Sequence, residues 1–296
     1  MSKREITKGQ VQDKVSMKPF TSWHIGGEAD RLYWPLDLQD LQQFLKRLPQ
    51  TESLTWIGLG SNILVSDSGI EGTTIITQGV LKEMALTSAT QIRAEAGLSC
   101  AQVARFAAKN NLVGGEFLAG IPGTVGGALL MNAGAFGGET WEKVSQIETI
   151  DRTGKITLHS ASDFKFAYRQ ITGLKNDEWF VSAIFDFTPG DGKESLSKIK
   201  TLLERRAQTQ PTGEPSCGSV FRNPPENYAA RLIENAGLKG HTIGAAQVSL
   251  KHANFIINTG DATAADTFAL VQFVQKTVLE KTGIALHPEF KWVGRP

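Results

Sequence analysis

The most constraining feature of this sequence is a glycine-dense segment, with nine glycines in the 25 residues from Gly114 to Gly138. Glycine weakens helices and strands but permits positive φ angles and close approach of another backbone. The segment therefore predicts a long loop system. Such a loop in a compact domain leaves many backbone N–H groups that a bound ligand can satisfy. A glycine-lined helix that packs against a sheet is the alternative interpretation.

A second glycine motif, GLGSNILVSD, lies between two predicted strands. Its turn offers backbone N–H groups, the Ser61 hydroxyl and the Asn62 amide, a combination that suits a phosphate group. The motif is not a Rossmann fingerprint, because Ile63 occupies the third glycine position and a strand pattern follows it. A plain β-hairpin turn is the alternative. Two loops of this kind in one domain favour a dinucleotide cofactor.

The composition excludes several classes of protein. The chain has 296 residues, of which 41% are hydrophobic and 21% charged, as in an ordinary globular protein. Lysine and arginine (31) nearly balance aspartate and glutamate (30), so we expect no binding to nucleic acid or to a membrane surface. The two cysteines fit neither a disulfide framework nor a metal site, and the N-terminus has no apolar targeting region. These features predict a cytoplasmic protein without a metal.

Periodicity and turn residues divide the chain into a sheet-rich part, up to about Phe187, and a smaller α+β part. The breaking segment TPGDGKES lies between them. Ser99 is predicted to cap a helix that ends at Asn110, and residues 152–155 are predicted to form a hairpin turn. Further helices are predicted near residues 38–48, 196–210, 228–237 and 262–281, and strands near 54–60, 63–67, 73–77, 91–97, 179–187, 243–249, 253–258 and 285–293.

Six motifs together resemble one family. They are TSWHIGGEAD, GLGSNILVSD, AGIPGTVGGALLMNAGAFGG, the pair Tyr168-Arg169, CGSVFRNP and LHPEFKWVG, in this order over nearly the whole chain. The ordered set is similar to the UDP-N-acetylenolpyruvoylglucosamine reductases. The resemblance implies an α+β protein with an FAD-binding domain of the vanillyl-alcohol-oxidase type at residues 1–190, in subdomains of about 1–79 and 80–190. A smaller α+β substrate-binding domain follows at 191–296, and its terminal strand, about 286–296, returns to the first domain.

The resemblance also implies the reaction and the site. The expected protein is a monomeric enzyme that binds FAD non-covalently. It uses NADPH to reduce UDP-N-acetylglucosamine enolpyruvate to UDP-N-acetylmuramate in peptidoglycan precursor synthesis. The implied catalytic residues are Ser219 as proton donor, with Arg169 and Glu289 stabilising the intermediate. The implied cofactor-binding residues are Gly58, Leu59, Gly60, Ser61, Asn62, Pro122, Gly123, Thr124, Gly126, Gly127, Ala133 and Gly134. The implied substrate-binding residues are Tyr168, Arg222, Asn223 and Gln247.

Each catalytic residue also has a structural interpretation. Arg169 alone reads as a solvated surface arginine, Ser219 as a turn residue and Glu289 as a strand-end glutamate. A glutamate beside a carboxylate substrate is predicted either to bind an arginine or to have a raised pKa. The segment between Arg169 and Trp179 departs from the family pattern and is short, which is typical of a subgroup without a flap over the substrate.

Two other functions remain open at this stage. One is a flavin oxidase of the same fold that uses oxygen, and the other is a flavin or nucleotide-sugar binding protein without turnover. Cys100 is predicted to be buried and inert, and His24 and His252 to be structural hydrogen-bonding residues.

Overall fold

The structure is a computed structural model that describes residues 9–296, so the first eight positions of the predicted first domain lie outside the described residues. The chain forms two compact units. Unit 1 comprises the described residues up to Gln12 with Arg31–Leu59 and Gly72–Arg205, and unit 2 comprises Asp13–Asp30, Gly60–Glu71 and Arg206–Pro296. Compactness does not show what a unit binds. The division into a cofactor domain at 1–190 and a substrate domain at 191–296 therefore stays a prediction.

Residues 9–296 contain six α-helices and twenty strands. The helices are α1 (Leu38–Arg47), α2 (Cys100–Lys109), α3 (Val125–Met131), α4 (Gly192–Thr209), α5 (Ala229–Asn235) and α6 (Ala264–Thr282). The strands are β1 (Val11–Ser16), β2 (Glu28–Tyr33), β3 (Leu54–Ile57), β4 (Ile63–Val65), β5 (Ile70–Ile76), β6 (Met84–Leu86), β7 (Gln91–Glu95), β8 (Leu112–Val113), β9 (Gly134–Ala135), β10 (Gly138–Glu139), β11 (Val144–Asp151), β12 (Ile156–Ser160), β13 (Lys165–Ala167), β14 (Gln170–Thr172), β15 (Glu178–Asp186), β16 (Thr188–Pro189), β17 (Thr242–Ile243), β18 (Ala246–Val248), β19 (Ile256–Asn258) and β20 (Lys291–Val293).

Unit 1 is built on an antiparallel sheet with the strand order β12-β11-β15-β7-β6. One core cluster includes Ile92 and Phe185 of the sheet with Val103 of α2, and a second includes Val181 of the sheet with Leu41 of α1. Because both faces of β15 are covered, its sequence is a nearly continuous apolar run. The predicted helix caps and the β11–β12 hairpin are confirmed.

The glycine-dense segment is not a single loop, and in this respect the loop prediction is wrong. It contains a short 3₁₀ helix, Glu116–Gly120, and the helix α3. The N–H groups of Val125 and Gly126 donate to the carbonyls of Leu98 (2.8 Å) and Ala96 (2.9 Å), at the end of β7. These bonds hold the start of α3 against the sheet, so for this part the glycine-lined helix was the correct interpretation.

Unit 2 combines a three-stranded antiparallel sheet, β17-β18-β19, with α5, α6 and a parallel pair of β4 with β20. Its core includes Trp23, Leu64 and Phe221 with Val271 and Val274 of α6. Segments that are distant in the chain therefore share one core. None of the helices in the described part of the chain combines the length and hydropathy needed to cross a membrane.

The last residue of the second glycine motif, Asp67, anchors α6. Its Oδ1 accepts from the Ala264 N–H and its Oδ2 from the Ala265 N–H, both at 2.9 Å. The first turn of a helix has N–H groups without intrahelical acceptors and a positive dipole end, so a carboxylate there is stabilising. The motif therefore has a structural role in addition to any ligand role.

We expect Asp67→Ala to lower the free energy of unfolding by about 1 kcal/mol, because two N–H groups of α6 lose a charged acceptor. Urea unfolding measures the change. Asp261→Ala is the matched control, since the exposed Asp261 side chain lies only at 4.0 Å from Lys18 in a surface ion pair. Equal stability of the two variants would contradict the assigned role of Asp67.

Candidate active site

The second glycine motif and the glycine-dense segment meet within unit 1, where Gly58 of the motif lies against Thr124 of the segment. A Cβ atom on Gly58 would lie 2.3 Å from Thr124 Oγ1, so only glycine permits this approach. Thr124 Oγ1 in turn accepts from the Gly127 N–H at 3.4 Å as the N-cap of α3. Seven predicted cofactor-binding residues lie in the surrounding segment of unit 1: Pro122, Gly123, Thr124, Gly126, Gly127, Ala133 and Gly134.

The donor groups at this place fit a phosphate-bearing cofactor. Among the described residues, nothing accepts a hydrogen bond from the N–H groups of Gly58 and Leu59. Successive N–H groups without a protein acceptor form a concave site that suits an anion. The N–H groups of Gly123, Val125 and Gly126 already have protein acceptors. The glycine-dense segment therefore offers close backbone approach more than free donors.

In unit 2, the second glycine motif continues from Gly60, and its Asn62 lies beside Glu289. Asn62 Nδ2 donates to the Glu289 carbonyl at 3.2 Å, and the Lys291 N–H donates to the Asn62 carbonyl at 3.0 Å. The N–H groups of Gly60, Ser61 and Asn62 donate to no acceptor within the described residues. Asn62 is therefore both a predicted cofactor-binding residue and a support for the Glu289 backbone.

In unit 2, the segment that carries Ser219 lies beside the segment that carries Glu289. The Glu289 N–H donates to the Val220 carbonyl at 2.8 Å, and the Arg222 N–H donates to the His287 carbonyl at 2.9 Å. The motifs CGSVFRNP and LHPEF thus run side by side. Ser219 is half-buried, whereas Glu289 is only 6% exposed. A hydroxyl and a carboxylate therefore lie on adjacent backbones at the edge of the unit 2 core.

Cys217 lies two positions before Ser219 in the same motif. It is fully buried in the core of unit 2. Burial raises the pKa of the Cys217 thiol well above its usual range, and the Glu289 carboxylate raises it further. Because this thiol stays protonated, it is not a nucleophile. Cys100 is also buried, as predicted, and burial raises the pKa of its thiol to about 12.

Tyr168 and Arg169 form the two-residue turn between β13 and β14, where Ala167 pairs with Gln170. Arg169 has a φ of 57°, and its guanidinium carbon lies 5.4 Å from the centroid of the Tyr168 ring. This distance is typical of a cation–π contact. β14 and β15 are joined only by residues 173–177, so the predicted absence of an inserted flap agrees with the structure.

Asn132, which lies in none of the predicted site positions, supports this turn. Its Nδ2 donates to the Ala167 carbonyl at 3.2 Å and to Glu139 Oε2 at 2.7 Å. Asn132 is 1% exposed and has a φ of 39° at the C-terminal end of α3. Asparagine is one of the few residues that tolerate this conformation, so an asparagine at the end of the alternative, glycine-lined helix is the available signal.

The other predicted substrate-binding residues lie in unit 2 and are partly engaged. Asn223 Oδ1 accepts from the Ala229 N–H at 3.0 Å, at the first residue of α5. Gln247 Nε2 donates to the Gly240 carbonyl at 3.4 Å. The Arg222 side chain is exposed.

Comparisons with known proteins agree with this architecture. Residues 29–159 match a family model described as an FAD-binding domain, and residues 210–293 match the C-terminal domain of UDP-N-acetylenolpyruvoylglucosamine reductase. The protein is therefore an FAD-containing oxidoreductase, and the predicted α+β fold, with an FAD-binding domain of the vanillyl-alcohol-oxidase type and a smaller second domain, is confirmed.

Full-length relatives identify the family. The chain is 57% identical to a UDP-N-acetylenolpyruvoylglucosamine reductase of Legionella pneumophila (strain Corby), over 97% of this chain and 94% of the relative. It is 48% identical to that of Coxiella burnetii (strain Dugway 5J108-111), over the whole of both chains. The crystal structure of the Thermus caldophilus enzyme superposes with a TM-score of 0.83 at 30% identity, over 96% of this chain and 99% of that one. The chain belongs to the UDP-N-acetylenolpyruvoylglucosamine reductase family, whose members act in peptidoglycan synthesis, cell wall biogenesis, cell shape and cell division.

Proposed function

We propose that this enzyme reduces UDP-N-acetylglucosamine enolpyruvate to UDP-N-acetylmuramate with NADPH, as a cytoplasmic monomer. The printed names of its relatives support the substrate class. Bound at the glycine motifs, FAD would supply hydride transfer from NADPH to the terminal carbon of the enol ether. The adjacent carbon gains a proton, so the reaction consumes one NADPH and one proton per product.

Ser219 supplies that proton in the proposed reaction. The observation that carries the proposal is the bond from the Glu289 N–H to the Val220 carbonyl at 2.8 Å, which sets Ser219 and Glu289 on adjacent backbones. No described residue forms a hydrogen bond with the Ser219 hydroxyl, which leaves it available to a substrate. Serine is a weak acid, so the donor must be placed accurately relative to the carbon that it protonates.

Arg169 and Glu289 stabilise the charge that develops on the carboxylate side of the substrate. The planar guanidinium of Arg169 keeps its charge and can bind a carboxylate through two parallel hydrogen bonds. The contact between the Arg169 guanidinium and the Tyr168 ring limits the conformational freedom of the arginine side chain. Glu289 is buried, so a hydrogen bond between its side chain and the substrate is shielded from water. Tyr168, Arg222, Asn223 and Gln247 bind the nucleotide sugar in this proposal.

The FAD sites proposed at Gly58, Leu59, Gly60, Ser61 and Asn62 rest on N–H groups that have no protein acceptor among the described residues. Around Thr124, the proposal rests on the close approach of Gly58. These residues bind and orient the cofactor non-covalently.

Anaerobic titration of the purified holoenzyme tests the proposed function. We expect the flavin absorbance near 450 nm to be lost on addition of one equivalent of NADPH and restored on addition of one equivalent of the enolpyruvyl substrate. NADH and UDP-N-acetylglucosamine serve as controls for the two steps. Recovery of colour only after admission of air, with peroxide formed, would favour a flavin oxidase. Binding of the substrate without recovery would favour a binding protein.

A further inference from the structure

Asn254 is a buried asparagine in unit 2 whose side chain binds the segment that carries Ser219. Its Nδ2 donates to the Phe221 carbonyl at 2.8 Å, and its Oδ1 accepts from the Phe221 N–H at 2.9 Å. The Asn254 carbonyl also accepts from the Val220 N–H at 2.8 Å. One asparagine therefore pairs with this segment as a neighbouring strand would, with its side-chain amide in place of a peptide group.

The opposite edge of the same segment pairs with the Glu289 region. The Val220 carbonyl accepts from the Glu289 N–H, and an isolated bridge joins Phe221 to Pro288. The backbone polar groups of Val220 and Phe221 are thus satisfied on both sides. Ser219 comes directly before this fixed pair, so its place relative to Glu289 depends on bonds that Asn254 makes.

The location of Asn254 indicates that it acts through Ser219. Asn254 is 4% exposed, and its side-chain oxygen and nitrogen are both bound to Phe221. Its own N–H donates to His252 Nδ1 at 3.3 Å, which fixes the backbone at this point. We propose that Asn254 is a positioning residue that holds Ser219 in register with Glu289 for proton delivery. This inference rests on the proposed function of Ser219.

The test uses Asn254→Leu in the FAD-loaded enzyme, because leucine is similar in size and removes both side-chain bonds. Anaerobic stopped-flow measurements separate the reduction of FAD by NADPH from its reoxidation by the enolpyruvyl substrate. We expect reoxidation to slow about 100-fold, since a displacement of about 1 Å has effects of this order. The rate of FAD reduction should stay within about 2-fold of wild type, because Asn254 acts only on the proton-donor segment.

Asn258→Leu is the matched control in the same unit. Asn258 is also a buried asparagine, and its side chain binds the backbone of Trp23, Gly260 and Ala262. We expect a lower Tm for this variant with both half-reactions of the holoenzyme unchanged. Asn254→Asp is the second variant: it keeps an acceptor for the Phe221 N–H and replaces the Nδ2 donor with a carboxylate oxygen that faces the Phe221 carbonyl. Failure of both Asn254 variants to retain FAD would overturn the proposal, because a role confined to the Ser219 segment leaves FAD binding intact.

A double-mutant cycle with Ser219→Ala decides between positioning and general stability. If Asn254 acts through Ser219, Asn254→Leu slows reoxidation no further in the Ser219→Ala enzyme. Additive losses would overturn the positioning role and leave the proposed function standing. A Ser219→Ala enzyme with normal reoxidation would instead overturn the proposed function of Ser219, and the inference on Asn254 with it.

Discussion

The Ser219→Ala enzyme is expected to reduce its substrate about 10²–10⁴-fold more slowly than wild type, because the transition state loses its proton donor. The same variant should accept hydride from NADPH at an unchanged rate, since that half-reaction needs no proton from Ser219. Alanine is serine without its hydroxyl oxygen, so the substitution adds no crowding to the loop. Stopped-flow absorbance of the flavin measures both rates.

Ser216→Ala is the control for this experiment. Ser216 lies three positions earlier in the same segment, in an isolated bridge with Ile257. We expect both half-reactions of this variant to match wild type. A Ser219→Ala enzyme in which reduction and reoxidation slow equally would contradict the assigned proton transfer, because it would indicate a general defect in binding or folding.

Gly60→Ala is expected to lower the free energy of unfolding by at least about 3 kcal/mol, the range in which backbone strain and steric overlap act together. Gly60 has a φ of 68°, and a Cβ atom there would lie 2.0 Å from the Phe20 carbonyl oxygen. The Ser22 N–H donates to the Gly60 carbonyl at 3.1 Å, so this backbone is held against residues 20–22 and has little room to move. Urea unfolding monitored by circular dichroism measures the loss.

Gly237→Ala separates the cost of backbone strain from the cost of steric overlap. Gly237 also lies in unit 2 and has a φ of 75°, but a Cβ atom there has nothing within 4 Å. We therefore expect only the cost of the left-handed backbone, about 1–2 kcal/mol. If the two variants were equally stable, the contact with Phe20 would be unimportant. The flavin absorbance of purified Gly60→Ala additionally reports whether the motif still binds FAD.

Features that depend on neighbouring residues could be predicted from the sequence. The β11–β12 hairpin follows from a turn at residues 152–155 between two β-type runs, and the start of α2 follows from Ser99 with Gln102 three positions later. The structure of the glycine-dense segment is harder to predict, because its glycine composition indicates a loop. In the folded chain, the bond from the Gly126 N–H to the Ala96 carbonyl stabilises the start of a helix instead. Tertiary hydrogen bonds overrode the local preference there.

The supporting residues of the site could not be predicted in the same way. Asn254 and Asn132 are single asparagines whose partners, Phe221 and Ala167, lie far along the chain. Neither has a local pattern that identifies its partner. The pairing of Val220 with Glu289 likewise joins two motifs that only the folded chain brings together. The resemblance to a family indicates the chemistry of the site. The residues that orient the catalytic groups can be identified only from the structure.

The parallel pairing of β4 with β20 has a consequence for the order in which the protein matures. Ile63 pairs with Lys291, and Val65 with Val293, so β4 cannot pair with β20 until the ribosome has made the chain to residue 293. Contacts of such sequence separation form slowly and cannot form during most of translation. Nascent chains stalled before residue 291 should therefore expose the β4 edge to chaperones, while the β11–β12 hairpin is already assembled.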